Sequence, residues 1–577
     1  MSSPSSNSKS ALEWTLEMVR IPSVTGSSAE GQFAALMREK LARVPYFRDH
    51  PEDVWCVKTE NDPLERENLF ALVRGQGSRT VILAGHFDVV STASYGPLEP
   101  LAFEPEKLLE ALLETLRGSP NPADLQALED FESGAFLPGR GILDMKSGLA
   151  SGIVALERFS QLVGRVGNLL LVATPDEEHG SKGMRSAISS LARLQQRESL
   201  EFVAALNLDA TADGEDGSSG RTVYTGSVGK LLPTVLFIGR PTHAGYPFDG
   251  VNPHLMAAEF TLEVESNPAY SSVADAKGLA GTLAPAPTCL EQADFRAGYE
   301  VTTPRLTWVA FNVMLVKNEA AGVLARFKKA AGEALKRALT LEQSRFDEFE
   351  TRAGRPQRTL PYQARLLEYG DLEKLALEHS GAAAVQDAKT RAETGNLDPL
   401  VYARTLTLEL AQLANLSGPA AVVGFAPVYY PVALLGQDAK SEHLLEVCRI
   451  VAPNIEREFG QSIGFRPFFE GISDMSFLAP LESGSLEGAD DASTLSQNMP
   501  GWGTRWNVDY AGAKLLNVPV VNVGPWGREY HQRLERVHSD YAFRVLPELV
   551  WRLTLGALEE KLGKSSTQNT PNKVWGV

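Results

Sequence analysis

A chain of 577 residues is longer than one hydrophobic core usually covers, so two domains are expected. Its 43% hydrophobic and 22% charged content is ordinary for a globular protein, and a formal net charge of −17 argues against a general binder of nucleic acid or anionic membrane. Cys56, Cys289 and Cys448 lie far apart and form no CxxC pair, which suits a reducing compartment better than a disulfide framework.

The first ten residues are Ser-rich and expected to be disordered. MSSPSSNSKSALEW has no basic segment followed by an apolar one, so no secretory signal is read and a cytoplasmic location is expected. Ala11–Arg20 has helical apolar spacing and stops at Ile21-Pro22. From about Val54 to Asp209 strands alternate with helices, as in a mostly parallel sheet. Within that stretch Ser91–Pro138 reads as an acidic insertion holding one helix, Glu106–Arg117. GEDGSSG (Gly214–Gly220) is a turn or loop by composition.

Beyond Gly226 the pattern changes. LLPTVLFIG and LTWVAFNVMLV alternate like strands with one wet face, while MAAEFTLEV and AAGVLARFKKAAGEALKRAL read as amphipathic helices. Ala330–Ser417 is mainly helical and charged. The apolar stretch Ala420–Gly436 is interrupted by Pro427 and Pro431 and is too short to span a bilayer. Glu442–Phe459, a helix broken or kinked at Pro453, and a strand at Val518–Val523 then resume the first style. The fold class is therefore α/β: a mostly parallel mixed sheet flanked by helices, with an inserted α+β domain enlarged by extra helices. The expected boundaries are 1–226 and 431–577 for the first domain and 227–430 for the insert.

Four apolar runs end in metal-binding residue types: TVILAGHFD (Thr80–Asp88), LLLVATPDEE (Leu169–Glu178), FVAALNLD (Phe202–Asp209) and VPVVNVGPWGREYH (Val518–His531). A fifth carboxylate, Asp144, sits in GRGILDMKSG. Ligand sites in open α/β sheets form beyond the carboxyl ends of the strands, so these residues can converge. Two histidines plus three carboxylates form the ligand set of a two-metal hydrolytic centre. His86 and Asp88 alternate on a strand, so His86 can bind metal while Asp88 accepts its other N–H. Asp144 can bridge two cations, or be a turn residue beside glycines. Of the adjacent Glu177 and Glu178, one can bind metal while the other acts as base; both can equally mark a helix N-terminus. Asp209 ends an apolar strand, where an unpaired carboxylate is costly to bury.

HFDVV, GRGILDMKSG, TPDEEHGSKG, NLD, RPTHAGYPFDGVN, GISDMSF and GPWGREYHQRLERV occur in that order. Together they resemble the M20 metallopeptidase family, which includes aminoacylases, succinyl-diaminopimelate desuccinylase and carboxypeptidase G-like enzymes. Chain length and the enlarged second domain are most similar to its arginine-utilisation, RocB-like branch. The resemblance implies a dinuclear metal-dependent hydrolase cleaving an amide or peptide bond of a small amino-acid-derived substrate through a metal-bound hydroxide. His86, Asp144 and Asp209 would hold one metal and Asp144, Glu178 and His531 the other, with Glu177 as general base and Asp88 orienting His86. His531 is chosen over His538 because it follows Gly524-Pro525 at the family's usual interval. His243 would stabilise the oxyanion, Asn252 would lie near substrate, and Asp474 would support the site without binding metal. Two divalent cations are implied, zinc first with cobalt or manganese able to serve, together with a homodimer through the inserted domain.

Many relatives carry Asp-x-Arg on a strand of the second domain, the Arg gripping a substrate carboxylate. The corresponding AFNVMLVK has Asn312 and Leu315, and Leu cannot replace that clamp. Two other readings stand beside the first: a hydrolase of a ureido or guanidino-type amino acid in arginine catabolism, and a non-catalytic binding protein on the same fold.

Overall fold

The computed structural model describes residues 9–212, 220–275, 279–395, 398–469, 471–479 and 491–560. Most of the Ser-rich start and of the GEDGSSG segment lies outside them. The chain divides into two compact units: Met1–Ser227, Ala433–Leu481 and Ala511–Val577 form one, and Val228–Val432 with Glu482–Tyr510 the other.

The first unit is built on an eight-stranded sheet. Its strands lie in the order Val54–Lys58, Glu67–Val73, Val166–Thr174, Gln76–His86, Glu201–Asn207, Val520–Asn522, Thr222–Tyr224 and Gly464–Arg466. Val166–Thr174 and Glu201–Asn207 flank Gln76–His86 in parallel, and Val520–Asn522 extends the parallel run. Glu67–Val73 and Val54–Lys58 add an antiparallel edge. The central residues Val81–Ala84, Leu169–Val172 and Ala204–Leu206 are fully or almost fully buried, which explains why these strands read as unbroken apolar runs. Helices Ser147–Gln161 and Leu546–Leu558 pack on Gln76–His86.

Register aligns the carboxyl ends. His86 lies opposite Thr174, Ala84 opposite Asn207, and Asn207 opposite Asn522. The buried Asn522 carboxamide locks that edge: its Oδ1 accepts from Asn207 Nδ2 (2.9 Å) and the Asp209 amide (3.1 Å), and its Nδ2 donates to the Asp209 carbonyl (3.0 Å). A second small sheet of Phe136–Pro138, Arg536–His538, Trp526–Arg528 and Thr211–Ala212 lies in the same unit. Asp144 follows its first strand, and His531 sits in the turn between Trp526–Arg528 and Arg536–His538.

One sequence expectation for this unit needs correction. Ser91–Pro138 holds two α-helices, Pro105–Leu116 and Pro122–Glu132. The second is short and buries only Asp124, Ala127 and Phe131, so its apolar periodicity is weak; its start is fixed by Asn121, whose side chain accepts from the Ala123 amide. Of the two alternatives at Pro453, the break is excluded, because helix Ala439–Phe459 continues through it.

The second unit has a five-stranded sheet in the order Thr288–Ala293, Leu306–Leu315, Gly229–Ile238, Ala420–Tyr430 and Arg365–Glu368. All neighbours are antiparallel except the last pair. Helices Pro253–Val264 and Ala320–Arg352 pack on it, and Tyr369–Thr394 packs against Pro399–Leu413. The expectation that all of 431–577 belongs to the first unit is corrected here, because described residues from Asp491 to Tyr510 are bonded into the second. Asp491 accepts from the Ala321 amide (2.9 Å), Asn498 from the Gly370 amide (3.2 Å), and the Trp506 indole donates to the Tyr429 carbonyl (3.2 Å). Among the described residues no helix is long and apolar enough to cross a membrane.

Candidate metal centre

The residues just past the aligned strand ends converge. His86, the last residue of its strand, is 1% exposed. Its Nδ1 faces the Asp88 carbonyl at 3.0 Å; a carbonyl only accepts, so Nδ1 donates there and Nε2 is the nitrogen turned to the site. Nε2 lies 3.2 Å from Asp144 Oδ1 and 3.8 Å from both Asp209 Oδ1 and Glu177 Oε2. Asp144 presents its other oxygen, Oδ2, to His531 Nε2 at 3.1 Å, and Glu178 Oε2 is 3.0 Å from the same nitrogen. His86, Asp144 and Glu178 offer ligand atoms all within 4.8 Å of one another.

Asp88 meets the His86 ring as expected, through both its carbonyl and its carboxylate, and has a further task. Strand pairing ends at His86, so side-chain alternation no longer sets its direction. The Asp88 carboxylate is 3.5 Å from the His86 ring and chiefly anchors the next segment, accepting from the Glu177 amide (3.0 Å), the Glu178 amide (3.3 Å) and the Thr25 hydroxyl (2.9 Å). Asp209 is held through Oδ2 by the Ser473 hydroxyl (2.9 Å) and through Oδ1 by the Ala210 amide (2.8 Å). Asp474, fully buried, accepts from the Thr174 hydroxyl at 2.8 Å.

Two glycines let backbone approach this closely. Gly141 has φ 75°, and a Cβ there would meet Val89 at 2.4 Å. A Cβ on Gly524 would sit 2.0 Å from the Asp209 carbonyl. The Asp144 loop is further held by Glu535, which accepts from the Gly141, Leu143 and Asp144 amides and from Arg140. Glu535 was visible within GPWGREYHQRLERV, but nothing in sequence assigns it to a loop so far away. Ser473 and Asn522 were missed for the same reason.

The electrostatics are those of a site built for cations. The side chains of Asp144, Glu177, Asp209 and Glu178 are 10%, 9%, 8% and 6% exposed. Burial, with Asp209, Asp474 and Glu178 nearby, raises the Glu177 carboxyl well above its ordinary range against the opposing effect of His86. Burial and Asp144 push Glu178 up to about 7. Burial works against protonation of His531, but Asp144 and Glu178 outweigh it and raise the ring to about 10. Glu178 Oε1 is buried without a hydrogen-bond partner. Clustered carboxylates, two imidazoles and an orphaned carboxylate oxygen fit divalent cations.

His538 takes no part. It accepts from the Tyr541 amide at 3.2 Å and packs against Phe136 and Trp526, and burial lowers its pKa. His243 and Asn252 lie in the second unit. His243 is exposed, and its Nδ1 accepts from the Gly245 amide at 3.0 Å. Asn252 caps helix Pro253–Val264, its side chain accepting from the His254 amide.

The model of Peptidase family M20/M25/M40 matches residues 120–413. Protein RocB of Bacillus subtilis (strain 168) is 31% identical over 550 residues, 94% of each chain. The chain belongs to the M20 peptidase family. As a member it is a hydrolase, and the near-full-length likeness supports the RocB-like branch. The uncharacterized protein YqjN of the same organism is likewise 31% identical, over 552 residues covering 94% of this chain and 95% of that one. Succinyl-diaminopimelate desuccinylase of Ectopseudomonas mendocina (strain ymp) is 31% identical over 261 residues, 44% of this chain and 56% of that one.

Two outcomes are expected of this M20 hydrolase. His531→Ala should lower bound metal by about one equivalent per chain by plasma mass spectrometry, whereas His538→Ala should leave it unchanged; equal loss in both would overturn the assignment. The second concerns pH. In the metal-free protein Glu178 keeps a proton up to about 7 that the unfolded chain loses near 4.5, so stability falls as pH rises between those values. His531, ordinarily near 6.5 and raised to about 10, adds stability that is full below 6.5 and lost as pH rises through 10. Metal loading removes both protons. Melting temperatures of chelated and metal-loaded protein should therefore diverge as pH is raised from about 5 to about 9; a constant gap would contradict the site.

Proposed function

We propose that the protein hydrolyses an amide or peptide bond of a small amino-acid-derived substrate at a two-cation centre, with Glu177 moving the proton. The observation that carries this reading is the division of Asp144, one oxygen 3.2 Å from His86 and the other 3.1 Å from His531. His86, Asp144 and Asp209 would hold one cation, and Asp144, Glu178 and His531 the second. Zinc suits mixed imidazole and carboxylate donors, and cobalt or manganese could serve. Such cations, when bound, polarise a scissile carbonyl and acidify water.

The chain supplies the rest. Glu177 Oε2, 3.8 Å from His86 Nε2, takes a proton from the attacking water and returns it to the leaving nitrogen. Its main chain is fixed by Asp88, so the carboxylate is presented without loop rearrangement. His243 is the proposed donor to the oxyanion: because Nδ1 accepts from Gly245, the ring proton is on Nε2 and can be donated. Asn252 is proposed near substrate, with only its amide N–H groups to offer since its oxygen serves the helix cap.

The strand Leu306–Leu315 carries half-buried Asn312, half-buried Met314 two residues on and buried Leu315 after it, so a carboxylate clamp of the usual kind has no cation at those positions. The likeness to the RocB-like branch over 94% of the chain prompts a second reading beside the first, in which the scissile group is the ureido or guanidino end of an amino acid.

Hydrolysis of dipeptides, N-acyl amino acids and ureido amino acids, with zinc, cobalt or manganese supplied, separates these readings. Glu177→Ala should abolish turnover on the best substrate while keeping metal content nearly intact; stoichiometric metal loss would make Glu177 a ligand instead. His243→Ala should lower kcat about 100-fold at unchanged metal content, and an unimpaired variant would reject its role.

A further inference from the structure

Arg66 precedes strand Glu67–Val73 and has a 4% exposed side chain. Its Nη1 donates to Glu30 Oε1 (2.9 Å) and Asp176 Oδ1 (2.6 Å), while Nε and Nη2 donate to Asp62 (2.7 and 3.2 Å). Those carboxylates come from three places: helix Ser28–Leu41, the loop before the strand, and the residue preceding Glu177. Their side chains are 0%, 0% and 6% exposed. One guanidinium thus joins three buried anions, a geometry that its planar fork can satisfy and a lysine point charge cannot.

The third anion connects this cluster to the chemistry. Asp176 adopts φ 69°, a left-handed conformation that Asp tolerates better than most residues with a Cβ when its polar groups are hydrogen-bonded locally. Every polar group of Asp176 is engaged. Its amide donates to Glu30 Oε1 (3.0 Å), Oδ1 accepts from Arg66, Oδ2 accepts from the Lys182 amide (3.1 Å), and its carbonyl accepts from the Gly180 (2.9 Å) and Ser181 amides. The next two amides, of Glu177 and Glu178, are bound to Asp88. The turn is therefore gripped on both sides, by an anion that binds its amides and by a cation that binds its leading carboxylate. Without the second grip, repulsion from Asp144 and Asp209 would favour rotation of Glu177 and Glu178 away from the centre.

We propose that Arg66 is a positioning residue that, through Asp176, sets the orientation of Glu177 and Glu178 toward the metal centre. This rests on the roles proposed above for those two glutamates. Arg66 touches neither substrate nor cation; it acts by holding the Asp176 turn in the arrangement that aims both carboxylates inward.

The test compares Arg66→Lys with Asn168→Ala. Asn168 is buried at the opposite end of the parallel strands, where it donates to the Gly77 and Arg79 carbonyls and the Thr80 hydroxyl. Both variants should lose thermal stability. Arg66→Lys alone should weaken the second of two zinc-binding events about tenfold or more by calorimetry, and lower kcat by a similar factor with KM within about twofold. Asn168→Ala should leave both zinc affinities and kcat at wild-type values. If Arg66→Lys loses only stability, like Asn168→Ala, the positioning role is overturned. If Arg66→Lys does not fold, Asp176→Asn takes its place with the same expected split, and wild-type zinc affinity and kcat in that variant overturn the role. Failure of the underlying reading shows separately, as wild-type protein that binds a single zinc or hydrolyses no amide. In either event a wild-type zinc affinity in the Arg66 or Asp176 variant still counts against positioning, and a selective weakening still supports it.

Discussion

Negative charge gathered out of water is the constraint on which this molecule turns. Asp88, Asp144, Glu177, Glu178, Asp209 and Asp474 meet at one edge of one sheet, each largely or fully buried. Carboxylates so close repel, and burial penalises each charge separately. The surrounding structure answers with donors that cannot move: amides on Asp88, a hydroxyl and an amide on Asp209, a hydroxyl on Asp474. What those donors leave unbalanced, including the unpartnered Glu178 oxygen, is a demand for cations at defined points.

Much of this was legible in sequence because of one physical regularity. Strands buried on both faces are continuous apolar runs, and the first polar residue after such a run lies at the sheet's edge. That logic found His86, Glu177, Glu178, Asp209 and His531 together, Asp144 stood out as a carboxylate among glycines, and motif order divided the roles among them. It failed where long-range pairing decides. The three anions around Arg66 are scattered among residues 30, 62 and 176, with no spacing to betray them. The partnership of Glu535 with Gly141 and Asp144 is equally invisible. Helix Pro122–Glu132 escaped because an acidic stretch with so few buried apolar positions carries a faint periodic signal. Asp491–Tyr510 was placed in the wrong unit because hydrogen bonds to Ala321, Gly370 and Tyr429 hold it, and none of these can be read locally.

The second unit poses the specificity question. The resemblance places a carboxylate-gripping arginine of many M20 relatives on strand Leu306–Leu315, where this chain has Asn312, Met314 and Leu315. A buried leucine can contribute shape and dryness but no charge. The residues proposed to hold cations and move protons are all present.

The span between the first and last members of the centre has a consequence for biosynthesis. His86 emerges from the ribosome long before His531 and the Glu535 that steadies the Asp144 loop. The central strand Gln76–His86 and its neighbours can pair long before Val520–Asn522 exists to close their edge. Until then the nascent chain carries a set of crowded acids with one wall missing. The proposed centre can be completed only after residue 531 has been made, because a chain truncated before it would lack one of the three ligands proposed for one cation however well its early strands had formed.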